Sequence, residues 1–308
     1  MGEAGPKTVS GEALPPDDEL AEVEQAALSF ARAAGEAIVA SLGTELTIEY
    51  KTEGKNGAEP TDPVSQIDRA VEAMIRERLA KEWPDHAIIG EEVDEQPAVD
   101  AEYTWAIDPV DGTTNFVNGF PLYCASIGVL HRGRPVVGAT WVAASRELRP
   151  GVMHSRAGQP LSFEGVAMPA SNLEQRARRP LAAAPGGSPG RTPRWDNRVT
   201  GSAALECAFT AAGIFTQCSF GGLRIWDLAS GIALAQSAGL DVRARRGGEW
   251  VAFDRFTPPA QVKEDREPTL RDWSEPVLMG RAESVSHYLS MRKRPGIVAT
   301  IVRRMLGR

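Results

Sequence analysis

The strongest constraint on this chain is a strand-like apolar run that ends in two aspartates. Residues 105–114 read Trp-Ala-Ile-Asp-Pro-Val-Asp-Gly-Thr-Thr. Pro109 fixes its own φ and Gly112 permits unusual backbone angles, so the segment predicts a stiff, tight turn after a buried strand. Carboxylates as close as those of Asp108 and Asp111 resist ionising together unless a positive charge lies between them. The run therefore predicts a site for a positive ligand at the carboxyl end of a strand, where open sheets tend to build their sites.

A hard divalent cation with oxygen ligands would relieve this repulsion. Mg²⁺ fits, because it accepts a few carboxylates, keeps waters and shares its remaining positions with phosphate. Gly112-Thr113-Thr114 predicts the start of a short helix, whose free N–H groups would attract phosphate. A bare Asp-x-x-Asp-Gly is more often a simple turn. Here the string is longer and other acidic groups stand at suitable places, which favours phosphoryl chemistry.

Bulk composition limits the classes of function. The chain has 308 residues, of which 42% are hydrophobic, enough for a substantial core in one large domain or two small ones. Its formal net charge of −7 argues against a general nucleic-acid binder. Its three cysteines (Cys124, Cys207 and Cys218) form no Cys-x-x-Cys pair, which indicates a reducing compartment, and we expect a cytoplasmic location. Neither a signal peptide nor a membrane span is evident.

Hydrophobic periodicity predicts a mixed order of helices and strands, without strict alternation. We expect helices at 17–42, 66–82, 203–212 and 226–238, and strands at 46–51, 87–89, 103–107, 123–131 and 135–142, with short strands near Val242 and Trp250. Residues 150–198 are poorly patterned and receive no assignment.

The run from Asp108 to Phe116 closely resembles the signature of the inositol monophosphatase family, within the lithium-sensitive, magnesium-dependent sugar phosphatase superfamily. Further blocks of the family follow in order: Val64–Glu72, the Gly-Glu-Glu element in Ile88–Glu92, Arg198–Leu205, and Trp226–Gly231. The resemblance covers about residues 20–280. It implies a mixed α/β (α+β) chain with the layered αβαβα sugar-phosphatase fold, magnesium and lithium sensitivity, and a homodimer.

The same resemblance implies a metal centre with two or three Mg²⁺ ions. Glu91, Asp108 and the backbone carbonyl of Val110 would ligate the first ion. Asp108 would bridge to a second ion held by Asp111 and Asp227, and Glu91 would help a third, weaker one. A set of four carboxylates with no His or Cys is a hard, all-oxygen site, which suits magnesium.

Catalytic and substrate roles also come from the resemblance. It makes Asp68, Thr113 and Glu91 catalytic, with Asp68 and Thr113 holding the attacking water and Glu91 also serving as a metal ligand. The N–H groups of Gly112 and Thr113 would bind the phosphate. Ser202 would touch the alcohol portion of the substrate, or else cap the helix at 203–212.

Two further residues carry alternatives of their own. Asp227 is also expected to be the N-cap of a helix over 228–238. Lys51, with Lys55 as a competitor, resembles a lysine that the family places upstream of its water-activating aspartate.

The chain departs from the inositol-binding members on the leaving-group side. Those members carry an acidic residue several positions before the Trp-Asp pair, whereas Ser219–Ile225 contains none, and Phe220 cannot accept hydrogen bonds. Arg224 favours an anionic leaving group. We expect a small phosphorylated metabolite, an inositol monophosphate or related sugar or polyol phosphate. Histidinol phosphate, fructose bisphosphate and a phosphoadenosine nucleotide remain open.

Two rival functions remain open. Cys218 and Arg224 fit Cys-x5-Arg, the loop of cysteine-dependent phosphatases, in which a thiolate attacks phosphorus. The residue after the arginine is Ile225 instead of the Ser or Thr expected there. The other rival is a non-catalytic relative that keeps the fold, against which the intact acidic set argues.

The predicted organisation is a disordered lead (1–16), one phosphatase domain (17–284) and a basic tail (285–308). The domain divides into halves of about 17–145 and 146–284. For the tail, a solvated end is favoured over binding to a membrane or a partner.

Overall fold

The structure, a computed structural model, describes residues 13–50, 63–98, 101–143, 148–168, 180–183 and 195–292. Lys51, Lys55, residues 1–12 of the predicted lead and residues 293–308 of the predicted tail lie outside these ranges.

Six α-helices are described in the residues above: α1 Asp17–Ser41, α2 Gln66–Glu82, α3 Thr113–Val117, α4 Ala203–Ala211, α5 Ile225–Ser237 and α6 Ala282–Arg292. The strands are β1 Ile48–Tyr50, β2 Pro63–Ser65, β3 Ala87–Gly90, β4 Tyr103–Asp111, β5 Cys124–His131, β6 Arg134–Val142, β7 Gly151–Arg156, β8 Ser162–Phe163, β9 Val166–Ala167, β10 Leu181–Ala183, β11 Asp196–Arg198, β12 Phe215–Phe220, β13 Asp241–Arg246, β14 Glu249–Ala252 and β15 Val277–Gly280.

Two large sheets organise the chain. The first has the order β3-β4-β5-β6-β7-β8-β9, with β3 at its edge, parallel to β4, and every other pair antiparallel. The second has the order β11-β10-β12-β15-β13-β14 and mixes parallel with antiparallel pairs. β1 and β2 form a separate antiparallel pair.

Alternation along β4 shows how the layers stack. Trp105 and Ile107 are buried against α1 and α2, whereas Ala106, between them, faces the cluster built by α4 and α5. The helices α4 and α5 also cover the second sheet, whose other face packs Leu278 against Val285 of α6. The order helix, sheet, helix, sheet, helix confirms the predicted αβαβα layering, since each sheet buries both faces under helices.

The helix α5 lies unusually close to the first sheet. A Cβ atom at Gly138 would lie 2.5 Å from the carbonyl oxygen of Ser230, and one at Gly128 would lie 2.6 Å from the Ser230 nitrogen. Both strand positions therefore need glycine. This close approach fixes α5, and with it the carboxylate of Asp227 in its first turn, relative to the first sheet.

The predicted helices and most predicted strands are present, with small differences in their bounds. Val39, predicted on the apolar face of α1, is 51% exposed. The unassigned region contains β7 to β11 among its described residues, and β12 and β15 were not predicted.

The carboxyl end of the described chain differs from the solvated tail predicted for 285–308. Helix α6 runs across the boundary placed at residue 284, and its Val285 and Tyr288 are buried with Trp195. This part of the tail is helical because it supplies the outer apolar layer of the second sheet.

Within the described residues, no helix combines the length and apolar character that a membrane span requires.

Candidate active site

The two aspartates of the central run lie on a bulged strand. The sequence predicted that the strand ends at Asp108 and a turn follows, but β4 continues to Asp111. The pairing with β5 shifts in register between the two aspartates, because Asp108 pairs with Ser126 and Asp111 with Cys124. Side chains three residues apart on a regular strand point to opposite faces. Here the extra residue of the bulge brings both carboxylates to one side. Gly112 is the N-cap of α3 and has a φ of 91°, in the left-handed region. The sequence predicted unusual backbone angles at this glycine.

The third aspartate comes from α5. Asp227 was predicted to be the N-cap of a helix over 228–238, but α5 begins earlier, at Ile225, and its N-cap is Arg224. Asp227 therefore occupies the third helical position, and its carboxylate accepts a hydrogen bond from the Arg224 backbone N–H at 2.7 Å. The carboxylate thus still satisfies a free N–H group of the first turn.

Carboxylates far apart in the sequence converge here. Asp108, Asp111 and Asp227 each offer an oxygen, and these atoms lie within 4.8 Å of one another. Glu91 stands next to this group, close enough for its charge to act on Asp108. Asp108 is almost wholly buried, and its Oδ1 has no hydrogen-bond partner. A buried carboxylate oxygen without a partner, in an all-oxygen donor set, fits a hard divalent cation such as Mg²⁺.

Burial and mutual repulsion raise the pKa values of all three aspartates. For Asp108, desolvation is the main cause, followed by the negative charges of Glu91, Asp111 and Asp227, and its pKa is well above the usual range. Desolvation also raises the pKa of Asp227, with a contribution from Asp111. For Asp111, burial raises the pKa to about 6, against the lowering effect of its hydrogen bonds. A cation bound among the three carboxylates would favour their charged forms and so offset these shifts.

Ser202 contacts the acidic group directly. Its hydroxyl donates to Asp111 Oδ2 at 2.6 Å, and the backbone N–H of Ala204 donates to the same oxygen at 2.6 Å. Ser202 occupies the N-cap position of α4, but its side chain makes no capping hydrogen bond. The predicted capping role is therefore absent. Its contact with substrate stays a prediction.

The pair predicted to hold water is also assembled. The Thr113 hydroxyl lies 3.2 Å from Asp68 Oδ1 and 2.9 Å from the Val110 carbonyl oxygen, and it is placed to donate to either. The other oxygen of Asp68 accepts from the N–H and hydroxyl of Ser65, at 2.9 and 2.5 Å, in the capping box that starts α2. The carboxylate is thus held in one orientation with one oxygen directed at Thr113.

Glu72 supports the acidic site from behind, and the sequence alone did not single it out. It is fully buried, and its carboxylate accepts from the N–H groups of Glu92 and Val93, at 2.7 and 3.2 Å. It thereby supports the loop that carries Glu91. The signal was available: Glu72 follows Asp68 by four residues on α2, which places both acids on one helix face.

A cavity of about 830 Å³ opens beside the acidic group. Glu91 and Asp227 line it together with the exposed Arg224 and the half-buried Trp226. The predicted substrate residue Arg224 thus faces the same space as two of the predicted metal ligands, whereas Phe220 is buried in β12.

The chain is similar in sequence to known proteins. A sequence model of the "Inositol monophosphatase family" matches residues 19–267. The "Nus factor SuhB" of Escherichia coli (strain K12) is 33% identical over 238 residues, which cover 72% of this chain and 85% of that protein. "Phosphatase IMPL1, chloroplastic" of Arabidopsis thaliana is 29% identical over 237 residues, 71% of this chain and 63% of that protein.

Among solved structures, the IMPase of Thermotoga maritima superposes with a TM-score of 0.65 at 22% identity, covering 89% of this chain and 96% of that one. This likeness concerns the fold. The match of the family model over residues 19–267 and the 33% identical relative show that the chain belongs to the inositol monophosphatase family.

Proposed function

We propose that this protein is a magnesium-dependent phosphomonoesterase that hydrolyses a small phosphorylated metabolite. The observation that carries the proposal is the convergence of Asp108, Asp111 and Asp227 within 4.8 Å, next to the ordered pair of Asp68 and Thr113. Structural carboxylates are seldom gathered and buried in this way without a cation, because each raises the cost of ionising the others.

In this proposal Glu91, Asp108, Asp111, Asp227 and the Val110 carbonyl hold the metal. Bound Mg²⁺ would supply charge stabilisation for the attacking and leaving oxygens of an in-line displacement. We assign two or three ions on the resemblance to the family. The Val110 carbonyl accepts from Thr113 in the structure and keeps a second lone pair for a ligand role.

The remaining residues handle water and phosphate. Thr113 orients the attacking water, and Asp68 accepts its proton, directly or through the Thr113 hydroxyl. The water oxygen forms the new bond to phosphorus as the ester P–O bond breaks, and the leaving alkoxide takes up a proton from solvent water. The N–H groups of Gly112 and Thr113 are assigned to the phosphate oxygens.

The test is phosphate release from a panel of esters, with and without Mg²⁺. The panel holds inositol monophosphate, histidinol phosphate, fructose bisphosphate and a phosphoadenosine nucleotide. We expect Mg²⁺-dependent release from at least one, abolished by a chelator and restored by excess Mg²⁺. Release that persists in chelator would contradict the metal mechanism.

The cysteine-dependent alternative makes the opposite prediction at Cys218. This residue lies inside β12, fully buried and paired with Met279 of β15, and not on a loop that could surround a phosphate. We expect Cys218→Ala to keep kcat within about threefold of the wild-type value, since a catalytic nucleophile would cost several orders of magnitude. The measurement is kcat for the best panel substrate. Complete loss of activity in a variant that folds normally would revive the cysteine mechanism.

A non-catalytic role is the second candidate function. It is favoured by one observation, the name Nus factor carried by the Escherichia coli relative. The acidic group argues for turnover, because a chain released from catalysis has no need of buried, mutually repelling carboxylates. Failure of every ester in the panel, with Mg²⁺ binding intact, would favour this candidate.

For the substrate we propose a sugar or polyol phosphate that carries a second anionic group. Arg224 is exposed at the cavity that Asp227 lines, at the position expected for the leaving group. We expect Arg224→Gln to lower kcat/KM for a doubly charged ester by about tenfold, since a hydrogen bond to a charged group contributes about 1.5–3 kcal/mol. For the ester of a neutral alcohol, kcat/KM should change by less than about twofold. Equal losses for both esters would remove this assignment.

A further inference from the structure

A short turn beyond the family match contacts both sides of the acidic site. The sequence model ends at residue 267, and a 3₁₀ turn follows at Leu270–Asp272. Its Arg271 is only 9% exposed, a level of burial at which arginine is almost always paired. The sequence singles out none of these residues.

Arg271 contacts the two chain segments that carry Glu91 and Asp227, which are proposed metal ligands from different parts of the sequence. Its Nη1 donates to the carbonyl oxygen of Gly90 at 2.5 Å, directly before Glu91. Its guanidinium carbon lies 4.9 Å from the ring centroid of Trp226, directly before Asp227. Nε also donates to Asp94 at 2.9 Å, although the Asp94 side chain is 87% exposed. We propose that Arg271 is a positioning residue that holds Glu91 and Asp227 at the separation Mg²⁺ requires.

The turn is rigid enough for this task. Asp272 accepts from the Thr269 N–H at 2.8 Å and from Arg266 through two bonds of 2.7 and 2.6 Å. Trp273 is almost wholly buried, with its ring centroid 4.6 Å from that of Phe256. The turn that carries Arg271 is thus anchored in the hydrophobic core.

The loop held by Arg271 needs support. Gly90 ends β3, the edge strand of the first sheet, and Glu91 beyond it is half-buried. Glu72 holds the loop from one side through N–H groups, and Arg271 holds it from the other through a carbonyl. The Thr269 hydroxyl adds a third link, to Gln96 at 2.6 Å. Because Mg²⁺ demands near-ideal ligand positions, a displaced loop would weaken binding.

Position and charge predict opposite effects at this residue. A positive charge near a cation site lowers the affinity for the cation, so a pure charge effect makes Arg271→Met bind Mg²⁺ more tightly and leaves Arg271→Lys unchanged. A positioning role makes both variants bind more weakly. Lysine keeps the charge but lacks the planar fork that reaches a carbonyl and a carboxylate together while lying over an aromatic ring.

Arg246 offers a matched control. Its Nε donates to Glu275 at 2.8 Å, its Nη2 donates to the Arg255 carbonyl at 2.5 Å, and its guanidinium lies 5.7 Å from the Phe253 ring centroid. Arg246→Met therefore removes the same three kinds of contact without touching Glu91 or Asp227.

The experiment measures Mg²⁺ dissociation constants by calorimetry, and the Mg²⁺ concentration for half-maximal phosphate release. We expect Arg271→Met to weaken binding by about tenfold or more and Arg271→Lys by at least about threefold, since partners behind metal ligands typically contribute 10–100-fold. The value of kcat at saturating Mg²⁺ should stay within about threefold of wild type. Arg246→Met should bind as wild type.

The outcomes separate this inference from the proposed function on which it rests. Equal Mg²⁺ affinity in wild type, Arg271→Lys and Arg246→Met overturns the positioning role and leaves the proposed function standing. The positioning role is also overturned if Arg271→Met binds Mg²⁺ more tightly than wild type while the affinity of Arg271→Lys is unchanged. That result would favour a pure charge effect. If Arg271→Met does not fold, Arg271→Lys decides alone. No binding by the wild type overturns the proposed function, and this inference with it.

Discussion

Replacement of Asp108 by asparagine is expected to abolish Mg²⁺-dependent hydrolysis and, at the same time, to stabilise the metal-free protein. The loss of activity should be about 10³-fold or more, because metal stabilisation of the transition state contributes several kcal/mol and each 1.4 kcal/mol is tenfold in rate. The gain in stability follows from the buried carboxylate, which has an oxygen without a partner and repels Glu91, Asp111 and Asp227.

The sign of this stability change depends on pH. A carboxyl whose pKa is raised by folding contributes stability below its unfolded pKa and loses it as the pH rises through the folded value. For Asp111 this window runs from the usual 3.8 to about 6, and the pKa of Asp108 is shifted in the same direction. In chelator, the wild type should therefore lose stability as the pH rises through this range, and Asp108→Asn should lose less.

The measurement is thermal unfolding in chelator at about pH 5 and pH 7.5, then with Mg²⁺. At the higher pH we expect Asp108→Asn to unfold about 2–6 °C above the wild type, equivalent to about 1–2 kcal/mol in a protein of this size. Mg²⁺ should raise the Tm of the wild type and leave the variant unchanged. The exposed Asp85 precedes the amino end of β3, whereas Glu91 follows its carboxyl end. It gives a control variant, Asp85→Asn, that should follow the wild type throughout. A variant less stable than the wild type in chelator would contradict the account of the acidic group.

Much of the site was predictable because its residues stand in local motifs. The apolar run before Asp108 marks a strand, Gly112 and Thr113 mark the start of α3, and the Trp226-Asp227 pair marks the start of a helix. The helix α2 was predicted with its observed bounds, Gln66–Glu82, because its apolar spacing is regular and Trp83-Pro84 ends it. The layered fold followed from the family resemblance to which these motifs led.

The features that the sequence did not reveal depend on contacts between distant segments. The bulge that turns Asp108 and Asp111 to one side is set by pairing with β5, about fifteen residues later in the chain. The hydrogen bond from Arg271 to the Gly90 carbonyl joins residues 181 positions apart. The strands β12 and β15 are far apart in the sequence and pair as neighbours in the second sheet. No local pattern specifies such pairings, since they depend on which elements the fold brings together.

The second large effect is expected at Asp68 and Thr113, where catalysis should fail without loss of metal. We expect Asp68→Asn to lower kcat by about 10²–10⁴-fold, the usual contribution of a general base. Mg²⁺ affinity should stay within about threefold of wild type, because Asp68 is not assigned as a ligand. The variant should also lose about 1 kcal/mol of stability, since Asp68 belongs to the capping box of α2.

Thr113 provides the matched pair that separates water activation from packing. Thr113→Val keeps the shape of the side chain but removes the hydroxyl that lies within hydrogen-bonding distance of Asp68 and Val110, whereas Thr113→Ser keeps the hydroxyl. If the hydroxyl orients the attacking water, Thr113→Val should lose about 10²-fold or more in kcat and Thr113→Ser should retain most of it. The double variant of Asp68→Asn and Thr113→Val should be little worse than Asp68→Asn alone, because residues that act as one unit are not additive. Full additivity of the two losses would mean that Asp68 and Thr113 act on different steps, and the shared water would have to be abandoned.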